Sequence, residues 1–288
     1  MRLRVLLGVA VSLAALLAMP ANGSSPQRRV SICLRSASPL GDCGSSRLEV
    51  EFSGELTPHE LPERRFAPVG MTVAGTIGNE AGSHPPALRE ATVAVERGIR
   101  VDTEGLAVCP RRRLERLSAA AARRVCRSAI VGHGVARVGL ASSDTVFRVH
   151  LVLFNGGTSA GVTRLFVHGS AEAAGVGPLV AVAKIRRREK GLEATWRLPP
   201  ILEGDGSLLG FRLEVKRGFA ASGRRHSYLS ARCPNGVLRV HAPELRFLNE
   251  AHTPSAPSQT VLKGELAVPC AARHRPETTR PAEAGRVW

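Results

Sequence analysis

Aromatic side chains are scarce in this 288-residue chain: one tyrosine, two tryptophans and eight phenylalanines, 4% of the total. That poverty argues against a single-strand nucleic-acid binder, which stacks bases on aromatic platforms. It argues equally against an outer-membrane barrel, which carries aromatic girdles at both interfaces. Lysine is nearly missing too: of 40 basic residues all but Lys184, Lys190, Lys216 and Lys263 are arginine, a skew that matches GC-rich codon usage. Beyond the N-terminal segment no apolar run approaches the roughly 20 residues of a membrane-spanning helix. The chain has no internal repeat, no C-x-x-C and no closely spaced Cys/His set of zinc-ligand type, so neither metal nor cofactor is expected.

What the chain does have is an export signature. Arg2 and Arg4 precede an apolar stretch from Val5 to Ala18, and Ala21-Asn22-Gly23 is a small-x-small cleavage site, so residues 1–23 read as a secretory signal peptide. No cysteine lies near that site, which speaks against a lipid anchor there, and no membrane span is expected after cleavage. Cys33, Cys43, Cys109, Cys126, Cys233 and Cys270 then sit in an exported region, where disulfides persist. Nearest-neighbour pairing, Cys33–Cys43, Cys109–Cys126 and Cys233–Cys270, is expected because each pair brackets one recognisable unit. The net charge of +16 becomes +14 without the two signal arginines. A strongly basic exported protein adheres to anionic partners such as cell wall or acidic polysaccharide in a salt-dependent way. The runs Arg111–Arg113 and Arg186–Arg188 read as solvated basic loops, not as a specific nucleic-acid site. Oligomeric state leaves no mark on the sequence.

The organising stretch is GLAVCPRRRLERLSAAAARRVCRSAIVGHG, from Gly105 to Gly134. Pro110 stops the apolar segment that ends at Cys109. Ser118 followed by AAAARRVC reads as an N-cap and strong helix formers, with Arg123, Arg124 and Arg127 near the favourable C-terminal end. A helix filling all of 110–125 would be roughly 24 Å long, too long for a disulfide across its ends, which needs Cα atoms within about 7 Å. A short helix near 119–126, roughly 12 Å long, leaves a loop able to return. A long amphipathic helix on Leu114, Leu117, Ala121 and Val125, with both cysteines paired elsewhere, is the alternative.

Strand signals flank this hub. Residues 24–47 form a disordered or disulfide-looped lead-in, and Leu48–Phe52 then alternates apolar and polar. Further strands are read at 69–76, 88–97, 129–140 and 147–154, with Asn155-Gly156-Gly157 as a turn. They continue at 162–168, 179–186, 192–198, 209–217, 226–232, 237–242, 245–248 and 260–268. The fold class is therefore all-β: a β-sandwich or barrel-like sandwich of many short, mainly antiparallel strands over residues 48–270, ending in a disordered basic tail, 271–288.

Several of these residues form a pattern. Gly105–Pro110, Cys126–Gly134, Phe154–Gly156, and Gly223 with Arg225, Ser227, Tyr228, Leu229, Ala231, Cys233 and Pro234 resemble a family of secreted β-sandwich proteins from GC-rich, actinobacterial-type genomes. The resemblance covers about Leu48 to Cys270 and implies fold and export, with no catalytic residues to carry over.

Motifs for chemistry are incomplete. Gly157-Thr-Ser159-Ala-Gly161 matches G-x-S-x-G, but the nucleophile elbow needs a helix after it, and Val162–His168 reads as strand. His150 and His168 lie on strands flanking that loop and could serve Ser159 as base, or share a metal, if those strands pair. His59-Glu60-Leu61-Pro62-Glu63 lacks the second histidine of HExxH. Glu203 and Asp205 around a glycine turn, like Asp102 and Asp144, read as turn residues before glycosidase carboxylates. Tyr228 reads as an anchor near the third disulfide, and Trp196 as core. The leading reading is a secreted, non-enzymatic binding or envelope-associated structural module. The alternatives are a serine hydrolase centred on Ser159 and a carrier of a small apolar ligand, which requires a dry cavity that strand patterning does not reveal.

Overall fold

A computed structural model describes residues 27–33, 47–79, 84–140, 143, 145–171, 176–202, 205–247, 258–261 and 265–270. The expected signal peptide, basic tail, Cys43 and Glu203 lie outside them, as do the side chain of Cys33 and with it the Cys33–Cys43 pairing.

One antiparallel sheet of 13 strands dominates. In chain order its members are β1 (Gln27–Cys33), β2 (Arg47–Thr57), β4 (Gly70–Asn79), β5 (Leu88–Glu96), β7 (Ile130–Leu140), β8 (Val146–Ser159) and β9 (Val162–Ala171). They continue with β10 (Val176–Arg188), β11 (Gly191–Arg197), β12 (Gly206–Val215), β16 (Val237–Phe247), β17 (Ser258–Val261) and β18 (Glu265–Pro269). The order across the sheet is β1-β2-β4-β12-β7-β8-β9-β10-β11-β5-β16-β17, with β18 also on β16. The five strands β7 to β11 form a meander, and β12 joins it to β2 and β4. The sheet curls until β18 meets β2, where Leu266 and Val268 pack over Gly54. No hydrogen-bonded ladder joins those two strands among the described residues. The result is the barrel-like form of the expected all-β fold, a nearly closed single sheet.

A three-stranded sheet closes one end: β3 (Ala67–Pro68), β15 (Leu229–Ala231) and β6 (Ile99–Val101), in the order β3-β15-β6. This floor carries the main core, in which Leu61, Tyr228, Ala231 and the bridged Cys233 and Cys270 are at most 1% exposed. The hairpin of β13 (Gly218–Ala221) and β14 (Arg224–Ser227) flanks it. Outside the wall, helices α1 (Arg111–Leu114) and α2 (Ala119–Val125) cover the outward faces of β8, β9 and β10. Ser118 caps α2 by accepting from the Ala121 amide, and Cys109 and Cys126 are bridged at a Cα separation of 5.7 Å. The short-helix reading of the hub therefore holds, with α1 as one further turn.

Four expectations need correction. The lead-in contributes β1, which pairs with β2 from Gln27↔Ser53 to Cys33↔Arg47. The strands are longer than alternation suggests, 14 residues in β8 and 13 in β10, because a wall curling round an interior is buried along its whole inner face. Residues 226–232 split into β14 and β15 at Tyr228, whereas 237–242 and 245–248 fuse into β16 through a bulge at His241/Glu244. Finally, Asn155-Gly156-Gly157 is not a turn but a bulge inside β8. Asn155 is fully buried; its amide donates to Ala107 O at 2.9 Å and its Oδ1 accepts from Gly157 N at 3.0 Å. An amide side chain spent on loop carbonyls satisfies groups that burial would otherwise leave costly. The turn falls at Ala160-Gly161, where φ values of 50° and 71° define the two-residue hairpin geometry that suits strand twist.

Candidate ligand-binding site

Alternation along each strand decides what the barrel encloses, since successive side chains point to opposite faces. On β11, Leu192, Ala194 and Trp196 face in, whereas Glu193, Thr195 and Arg197 face out. Ala194 sits between Val93 of β5 and Ile185 of β10, one row of a belt that runs round the wall. The same phase gives Phe147, Val149 and Leu151 on β8, Met71 and Val73 on β4, and Phe211 and Leu213 on β12. Outward positions carry ion pairs instead, such as Arg197–Glu90 at 2.9 Å and Arg188–Glu193 at 2.6 Å. This polarity, apolar within and charged without, is the reverse of a lipid-embedded barrel.

The inward side chains do not fill the space. A cavity of about 360 Å³ runs through the barrel, lined almost wholly by apolar groups. Leu229, Ile99 and Val101 form its floor, and Leu88, Leu198, Leu208 and Leu245 converge at the opposite end. Small inward residues, Ala136, Ala181, Ala194 and Gly169, stand where larger ones would close it. Gly169 is itself constrained, because a Cβ there would lie 2.8 Å from a Leu151 methyl. Polar groups enter the lining mainly beside the join of β2 and β18, as Ser53, Glu55 and His241. Tyr228 borders the floor with its hydroxyl buried, and burial pushes its phenol above the ordinary range. It is the anchor expected near the third disulfide. Trp196, expected in the core, lines the cavity.

Of the residues singled out for chemistry, Asp144 like Glu203 lies outside the described residues, and Ser159, His150 and His168 are placed elsewhere. Ser159 is exposed at the tip of the β8–β9 hairpin, paired with Val162, with a strand and no helix after it. His150 pairs with Ser170 and His168 with Val152, so the two histidines are diagonal neighbours on the outer face. Ser159 lies seven residues beyond Val152, roughly 23 Å along the strand at 3.3 Å per residue, out of reach for proton transfer. His150 is exposed. Among the described residues no group of three His, Cys, Asp or Glu side chains converges as metal ligands would. Asp102, read as a turn residue, also holds His226, whose Nδ1 lies 2.8 Å from its Oδ2, and the Phe219 ring stacks on that imidazole. This link from the β13–β14 hairpin to the floor is announced by no local pattern.

His168 is the wall's one fully buried imidazole among the described residues. Its Nε2 lies 2.9 Å from Leu117 O, to which the neutral ring donates, while Nδ1 has no partner and Phe154 meets the ring edge-on. Loss of solvent, with Arg123 nearby, lowers its pKa below the ordinary 6.5, against the opposing pull of backbone carbonyls. A base depressed in the folded state is protonated first in the unfolded chain. Its share of stability is therefore complete above about pH 6.5 and is lost as pH falls from there toward the folded-state value. Thermal melts between pH 7.5 and 5 should show the midpoint falling, and His168→Gln should flatten that fall; an unchanged slope in the variant would remove His168 as its source.

Comparison with protein-family models, curated proteins and solved structures returns no match. The reading of function rests on the cavity and the surface.

Proposed function

We propose that the protein binds a small apolar ligand inside its barrel. The observation that carries this reading is the apolar cavity of about 360 Å³, within the range of small-molecule sites. A well-packed interior leaves few voids larger than a water molecule, so a space this large, kept open by small side chains on several strands, needs an occupant or a use. The lining offers few groups to orient a polar substrate and favours an aliphatic chain or fused-ring hydrocarbon. Each buried methylene contributes about 0.8 kcal/mol, so a chain of ten gains roughly 8 kcal/mol before the cost of association. The bridged cysteines and the signal-like N-terminus support an extracytoplasmic carrier or sequestering protein, in keeping with the resemblance to secreted β-sandwich proteins of GC-rich genomes. This takes up the carrier alternative in place of the leading structural-module reading; the hydrolase reading has no geometry behind Ser159.

The test is direct. Protein purified without detergent should release an apolar compound on solvent extraction, seen by mass spectrometry, or should take up a fluorescent fatty acid at one site per chain. Absence of both release and saturable uptake would reject the proposal.

A further inference from the structure

The helical segment on the outer wall has a surface that the cavity does not explain. Arg111–Arg113, Arg116, Arg123, Arg124 and Arg127 are all exposed, and Glu115, the one acid between Pro110 and Ile130, is engaged by Arg111 at 2.7 Å. Val108 and Val125, each 53% exposed, are two of the three large apolar side chains left open to solvent among the described residues. The adjacent bridge bounds how far apart they can lie. Val108 precedes Cys109 and Val125 precedes Cys126, and with the cysteine Cα atoms 5.7 Å apart the valine Cα atoms lie within about 13 Å of each other. Beside Val125, the residues Arg124, Arg127, Ser128 and Arg217 line a surface pocket.

We propose that this face docks on an anionic phospholipid surface. Basic side chains near such a surface are drawn to its negative potential, and apolar groups among them gain by entering the headgroup–acyl boundary. The pocket gathers Arg124, Arg127 and Arg217, and guanidinium groups bind phosphate through charge-assisted hydrogen bonds, which suits it to a lipid headgroup. A soluble acidic polysaccharide would use the same arginines but gives the two valines nothing to enter. That difference favours lipid and supplies the discriminating variant. The face lies over β8 to β10, on the outer wall, so docking does not depend on the cavity being loaded.

The experiment is cosedimentation of the intact secreted chain with vesicles of phosphatidylglycerol and phosphatidylcholine, against phosphatidylcholine alone. Binding is expected only to the anionic vesicles and should fall steeply by about 0.5 M salt, where screening shortens below 8 Å. Arg112→Glu/Arg116→Glu/Arg124→Glu should weaken partition at least about a hundredfold. Val108→Ser/Val125→Ser should weaken vesicle binding several-fold while leaving binding to a soluble acidic polysaccharide unchanged. Circular dichroism melts check that both variants fold; should the charge variant fail to, the salt titration and the valine pair decide alone. Equal binding to both vesicle types, or retained binding in the charge variant, overturns the proposal. So does a valine variant that binds vesicles as well as wild type, which would make the face a general polyanion binder.

Discussion

Ala194→Trp is expected to raise the dissociation constant for an apolar ligand more than about a hundredfold while leaving the fold intact. Ala194 projects into the cavity between Val93 and Ile185, and an indole there occupies space that a ligand chain would use. Excluding about four methylenes removes roughly 3 kcal/mol of transfer free energy, more than two decades in affinity. Overpacking a filled core strains it by about 1–3 kcal/mol, but here the added ring enters an existing void, so the melting midpoint should hold or rise. Thr195→Trp is the matched control. One residue along the strand the side chain points outward, where Thr195 is hydrogen-bonded to Thr92, and ligand affinity should be unchanged. Fluorescent fatty-acid titration of both variants reads the contrast. Equal loss in both, or none in Ala194→Trp, would mean that the ligand sits elsewhere.

Cys233→Ala/Cys270→Ala should be the most destabilising change to the floor. Both cysteines are fully buried in the main core; Cys233 N donates to Pro62 O and Cys270 N to Gly236 O, each at 2.9 Å. The bridge closes a separation of 37 residues, for which chain-entropy reasoning gives about 4 kcal/mol, against about 3 for the 17-residue separation of Cys109 and Cys126. Against a total of about 5–15 kcal/mol that is a large share, and at this chain length it corresponds to a midpoint lower by roughly 8–16 °C. The effect should exceed that of Cys109→Ala/Cys126→Ala, since β18 closes the barrel while α1 and α2 only cover its outside. Calorimetry on both double variants tests the order; the reverse order would show that the outer clasp, not the floor, limits unfolding.

Much of this architecture was legible in alternation. Leu48–Phe52 and Phe147–Phe154 announce half-buried strands, and Ser118 with its alanines announces α2, because both signals are local. The curl of the sheet was not, since the same period serves two stacked sheets or one closing on itself. Asn155 misled for a chemical reason: Asn-Gly-Gly is turn vocabulary, and only the tertiary approach of Leu106 and Ala107 turns its amide into a buried clamp. The cavity left one trace, the small residues at inward positions such as Ala136, Ala181, Ala194 and Gly169, which are readable as missing volume only once the facing strands are known. Ser159 and the two histidines were singled out by patterns whose meaning depends on their spatial neighbours, and hairpin register keeps the serine away from both histidines.

The join between β2 and β18 differs from the rest of the wall. Among the described residues every other neighbour in the ring is stitched by backbone hydrogen bonds, whereas these two touch through Leu266, Val268 and Gly54. Girth can therefore change at this one place without unzipping any pair. If the barrel holds the proposed apolar guest, one bulkier than the resting space would be accommodated by parting a contact of side chains and not a ladder of hydrogen bonds.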